Sequence, residues 1–187
     1  RYPAIYDEIG LEQFSLFLAE CEDVILEQLE RNTARAVRWI ESLPEDDPFD
    51  CLFVGDDIAF KHGPIISPRW LEANFHHRLK RVVDAAHAAG RKVVFHSDGN
   101  LNMIMDSLVD TGIDGLNPIE IAAGLDLADL HRRYPELVFV GGIDASRLLP
   151  FGNPEEVRDA VVEALDVTEG RMLVGSSTEI GNDAPLE

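Results

Sequence analysis

Cysteine occurs only twice in 187 residues, and 16 basic residues face 35 acidic ones, leaving a formal charge of −19. Two cysteines, Cys21 and Cys51, make no disulfide framework. Each stands in an otherwise apolar run, so the expectation is buried free thiols in a reducing, cytoplasmic setting. The shortage of positive charge argues against nucleic acid and anionic membrane surfaces as partners, because both are gripped through lysine and arginine. No apolar run approaches the roughly 20 residues that a membrane helix needs. The opening residues show no signal-peptide pattern. A glycine-rich nucleotide fingerprint is missing too: Gly55 and the pair Gly141-Gly142 are isolated and form no G-x-G-x-x-G.

What is present suits a folded chain. At 45% hydrophobic residues it can build a core, and no linker divides it, so 1–187 reads as one domain. A leading helical segment spans 11–43. Leu11, Phe14, Phe17, Leu18, Cys21, Val24, Ile25 and Leu29 recur at helical spacing along one face, with a break expected near Asn32-Thr33. From 51 to 187 the pattern becomes a βα repeat. Short apolar runs at Cys51–Val54, Lys92–Phe95, Gly115–Ile119, Val138–Val140 and Met172–Val174 alternate with amphipathic stretches. Ser67-Pro68 opens one helix, closed by Gly90, and Asn153-Pro154-Glu155-Glu156 opens another. Such alternation implies a parallel α/β architecture with a sheet buried on both faces.

Polar residues end every strand: Asp56 and Asp57, His96 and Asp98, Glu120, Asp144, and Glu179. In a (β/α)8 barrel these ends converge on one mouth. The alternative for each acid is a cap on the following helix. Asp56 and Asp57 point to opposite faces of their strand, and Asp57 is the one placed inward. His96 and Asp98, two residues apart, face the same side. His62 follows the first strand in a loop beside Lys61, and Gly142 precedes Asp144, leaving backbone open to a ligand. Met103, Met105, Trp39 and Trp70 read as packing residues.

Several segments together resemble the uroporphyrinogen decarboxylase superfamily. They are Gly55-Asp56-Asp57 with Gly63-Pro64-Ile65-Ile66-Ser67-Pro68, Lys92 through His96-Ser97-Asp98-Gly99-Asn100, and Gly112 through Asp114 to Asn117-Pro118. Ala123-Gly124-Leu125-Asp126, Gly141-Gly142-Ile143-Asp144 and Pro185-Leu186-Glu187 continue the series from about Leu52 to the last residue. The resemblance implies a (β/α)8 TIM barrel. Such a barrel takes about 250 residues, so the chain would be an incomplete C-terminal portion of about five βα units. The start at Arg1 and the end at Glu187 fit the same expectation of a piece cut from something longer.

The resemblance also implies one of two chemistries. Some members decarboxylate uroporphyrinogen in porphyrin and haem biosynthesis without a metal. Others transfer methyl groups to or from a corrinoid or a thiol, usually with zinc. Decarboxylases typically read Gln-Gly-Asn-x-Asp-Pro and Asn-Leu-Gly-His-Gly. This chain has Val140-Gly141-Gly142-Ile143-Asp144-Ala145 and Val174-Gly175-Ser176-Ser177-Thr178 instead. The methyl-transfer branch binds zinc through His-x-Cys and a later Cys. Here His96 matches, Asp98 replaces the first Cys, and Glu179 is the natural third ligand. The expected site therefore has His96, Asp98 and Glu179 on a metal, Asp57, Glu120 and Asp144 as catalytic groups at the mouth, and His62 and Gly142 against a small-molecule substrate. Glu120 is also placed to orient His96. A corrinoid protein is a candidate partner. Open sheet edges allow a homodimer, and a non-catalytic fragment is the remaining alternative.

Overall fold

The computed structural model describes residues 5–182 and 184, with Asp7 described by its backbone alone. The terminal Arg1 and the Pro185-Leu186-Glu187 motif lie outside the described residues. Three helices lead: α1 (Ile5–Ile9), α2 (Leu11–Glu20) and α3 (Glu22–Glu41). The break falls at Cys21, not at Asn32-Thr33. Those two polar residues are buried inside α3, where the Thr33 hydroxyl donates to the Leu29 carbonyl at 2.8 Å and Asn32 accepts from Gln28 and Arg35. Back-bonding to the preceding turn lets a helix carry such residues.

Strand β1 (Cys51–Gly55) follows, then a two-stranded ribbon of β2 (Ala59–Phe60) and β3 (Gly63–Pro64). Ser67 caps α4 (Pro68–Trp70), accepting from the Trp70 N–H at 3.3 Å, with Pro68 in the first turn. The helix continues through a π-helical segment, Leu71–His76, into α5 (His77–Ala88). The wider π turn brings Leu71, Phe75 and His76 to the interior together. Next come β4 (Lys92–His96), α6 (Met105–Val109), β5 (Gly115–Ile119), α7 (Leu127–Arg133), β6 (Val138–Ile143), α8 (Leu148–Phe151), α9 (Pro154–Val167) and β7 (Met172–Ser176). Asn153 and Glu156 form a reciprocal capping box at the start of α9.

The main sheet has five parallel strands in the order β1-β4-β5-β6-β7, the sequential order of a barrel arc. Its helix-facing row runs through Val54, Phe95, Leu116, Phe139 and Met172 and joins the main core with Leu79, Val83 and Leu108. Helices α1 to α3 form a second core around Phe14, Ile25 and Leu29, which reaches Ile66 and Trp70. The opposite, concave face is not fully covered: Phe53 on β1 is 57% exposed and Leu173 on β7 is 58% exposed.

Three packing expectations are corrected. Cys21 and Cys51 are both exposed free thiols, because one sits at the α2–α3 junction and the other starts an edge strand. Trp39 is 55% exposed on α3. Met105 is fully buried, whereas Met103, two residues earlier in the loop before α6, is 66% exposed.

Candidate metal centre at the strand ends

Parallel strands bring their C-terminal ends to one side, and the register decides which side chains meet there. Gly55, His96 and Asn117 occupy one row across β1, β4 and β5. His96 thus projects from the concave face, and the chain after β1 and β4 carries Asp57 and Asp98 beside it. The ligand atoms of Asp57, His96 and Asp98 all lie within 4.8 Å of one another, and all three side chains are half-buried.

Each member is held by neighbouring backbone or side-chain groups. The Asp57 carboxylate accepts the Asp98 N–H at 3.0 Å, and its backbone carbonyl accepts from the Tyr6 hydroxyl at 2.6 Å. His96 Nε2 is 3.7 Å from Asp57 Oδ1, and its Nδ1 is 2.7 Å from Asn117 Oδ1. Thr178, just beyond β7, donates to Asp98 Oδ1 at 3.3 Å, so the curved sheet brings β4 and β7 ends together. Burial first, and then the Asp57 charge, push the Asp98 carboxyl above the usual aspartate range, against the pull of His96 and Thr178. Crowded carboxylates beside an imidazole are poorly compensated alone and well suited to a divalent cation.

The loop after β4 is fixed with equal care. Ser97, fully buried, accepts the Ile58 N–H at 3.1 Å. Gly99 has φ +91°, and a Cβ there would stand 2.6 Å from the Ala59 carbonyl, so only glycine fits against the ribbon. Glu120, half-buried after β5, accepts the Gly99 N–H at 2.7 Å. It braces the Asp98 loop, while the group beside His96 Nδ1 is Asn117.

The remaining expected residues lie elsewhere on the mouth side. Asp144 follows β6 and spends Oδ1 on the N–H groups of Ser146 and Arg147, at 2.7 and 3.1 Å. With Gly142 it borders a separate cavity of about 320 Å³ between α7 and α9. Glu179 is exposed after β7 and outside the three-residue group. His62 is exposed in the turn of the β2–β3 ribbon. A small apolar cavity of about 40 Å³, walled by Ile58, Trp70 and Phe75, touches Asp57. Asn117 and Thr178 are the contributors that residue-type reasoning passes over. Asn117 was accessible from register with His96; Thr178 carries no local signal.

The donor set fits a zinc-like ion. One imidazole and two carboxylates supply three protein ligands, the number used where a metal keeps a position for water or substrate. This set is harder than a thiolate one and less selective for zinc.

Comparison with known proteins agrees with the fold. A family model described as Uroporphyrinogen decarboxylase (URO-D) matches residues 10–187. Among solved structures, a methyltransferase from Methanosarcina mazei shares the fold with a TM-score of 0.74 at 20% identity, over 95% of this chain and 50% of that one. An uncharacterized protein (TM-score 0.42, 19% identity, 82% of this chain and 39% of that one) and an amidohydrolase (0.40, 12%, 81% and 38%) overlap less well. No curated protein sequence matches. The chain spans half the length of the methyltransferase, and its five parallel strands are an arc of a (β/α)8 barrel. With the family match covering nearly all of its residues, the chain belongs to the uroporphyrinogen decarboxylase family of enzymes.

Proposed function

We propose that the protein takes part in metal-assisted methyl transfer, with a corrinoid or a thiol as the exchange partner. The observation that carries this reading is the grouping of Asp57, His96 and Asp98 within 4.8 Å at the strand ends. These three residues would hold zinc or a similar divalent ion. Bound there, such an ion supplies Lewis acidity, polarising a methyl-ether oxygen or lowering the pKa of a thiol.

The chain's own residues do the rest. Gly99 and Glu120 fix the loop that carries Asp98. Tyr6 ties α1 to the Asp57 backbone and so covers one flank of the site with apolar helix. Decarboxylation of an eight-carboxylate porphyrinogen fits less well. Such a substrate calls for arginines around it, whereas the Asp57, His96 and Asp98 group at the strand ends carries two carboxylates.

The test is methyl exchange between methylcobalamin and a simple thiol, catalysed by the full-length protein. Turnover should be lost on chelation and in His96→Ala, by a factor of about 10³ or more if the ion is essential. Turnover that survives both would overturn the reading, as would porphyrinogen decarboxylation by the same preparation.

A further inference from the structure

We propose that Asn117 is a positioning residue that selects the tautomer of His96, so that the Nε2 lone pair is the one turned toward the site. The inference deepens the metal-centre reading above and rests on it for its purpose, though not for its geometry.

The geometry comes from sheet register. Asn117 pairs with His96 across β5 and β4, so both side chains rise from the same concave row. His96 Nδ1 and Asn117 Oδ1 are 2.7 Å apart. An amide oxygen only accepts, so the proton of this hydrogen bond sits on Nδ1. The amide is oriented from its other end, where Asn117 Nδ2 donates to the Val140 carbonyl at 3.4 Å. Turned over, the amide would set its oxygen against that carbonyl and present an NH2 group to His96. With Nδ1 protonated, neutral His96 has its free lone pair on Nε2, the nitrogen 3.7 Å from Asp57 Oδ1. A ligating imidazole needs that lone pair, and the partner of its other nitrogen fixes both tautomer and ring orientation.

The choice of tautomer opposes the intrinsic one. Free neutral histidine in water favours the proton on Nε2, which would place an N–H in the metal-binding direction. Asn117 thus supplies what the sequence around His96 does not, and it does so without adding charge to an already acidic site.

The experiment reads the tautomer directly, in the metal-free full-length protein. Two-dimensional 1H–15N correlation through the imidazole protons, at a pH well above the histidine range, distinguishes Nδ1–H from Nε2–H. Wild-type His96 should show the Nδ1–H pattern, Asn117→Ala should shift to predominantly Nε2–H, and Asn117→Asp, which keeps an acceptor oxygen, should retain Nδ1–H. Zn2+ affinity should fall about 10- to 100-fold in Asn117→Ala. A wild-type Nε2–H pattern, or an alanine variant with an unchanged tautomer and affinity, would overturn the inference. Should Asn117→Ala fail to fold, Asn117→Leu, which keeps the volume and removes the acceptor, takes its place: it should show predominantly Nε2–H, and an Nδ1–H pattern there would overturn the inference. If wild-type protein shows Nδ1–H yet takes up no Zn2+, the metal-centre reading fails while the tautomer assignment stands.

Discussion

At the scale of single residues, the site depends on backbone groups as much as on the ligating side chains. Asp98 reaches the centre because Gly99 lets the loop pass within contact of Ala59, and because Glu120 and Asp57 accept successive loop N–H groups. Gly99→Ala combines a left-handed φ with a 2.6 Å clash against backbone, so stability should fall by about 2 kcal/mol or more, read by urea denaturation. An unchanged midpoint would show that the ribbon yields instead. Much of the site's composition was legible from strand ends, since His96, Asp98 and Asp57 are recognisable by their place after apolar runs. How each acid is used was not. Asp144 resembles Asp57 in sequence, but the chain turns beneath it and spends its carboxylate on two amides. Only three-dimensional placement separates a cap from a ligand.

At the scale of elements, the clearest departure is the π-helical turn between α4 and α5. Its start and the end of the whole helix are marked by Ser67-Pro68 and Gly90, but the extra residue per turn answers a packing need and leaves no local signature. The turn buries His76, 5% exposed, with neither ring nitrogen hydrogen-bonded. Burial holds its pKa below the ordinary histidine value, against a weaker upward pull from Glu72 on the same helix. The folded state therefore resists a proton that the unfolded chain accepts at about pH 6.5. Stability from neutral His76 is fully present above that pH and is lost as pH falls toward the depressed folded value. His76→Leu should remove this loss: its stability relative to wild type should rise as the pH is lowered through the histidine range, measured by denaturant titration at pH 8 and pH 5. A pH-independent difference would show that His76 gains a partner on protonation. Helix α3 teaches the same lesson in reverse. Asn32-Thr33 looks like a break, yet local hydrogen bonds keep both inside the helix.

At the scale of the whole molecule, alternation of strands and helices was readable because the strand runs are apolar throughout, although β1 and β7 bury only their helix-facing side and leave Phe53 and Leu173 exposed on the other. The parallel order follows from that rhythm. Exposure of Cys51 and Phe53 was not readable, since it depends on β1 lying at the edge of the arc. Among the described residues no further strand pairs with the outer edges of β1 and β7, which lie next to exposed Phe53 and Leu173, a combination that invites pairing with another chain. The 187-residue chain at micromolar concentration should therefore sediment as species heavier than 20.8 kDa, and Phe53→Lys should shift it toward monomer. A monomer at all concentrations would mean that the edges are protected.

The acidic mouth is the molecule's central feature, and metal content tests its meaning most directly. Elemental analysis of the full-length protein, purified without chelator and reloaded with Zn2+, should find about one equivalent of zinc in wild type and almost none in His96→Ala, with three protein ligands as the basis. Wild-type protein that takes up no metal, or a His96→Ala variant that binds it as well, would contradict the account.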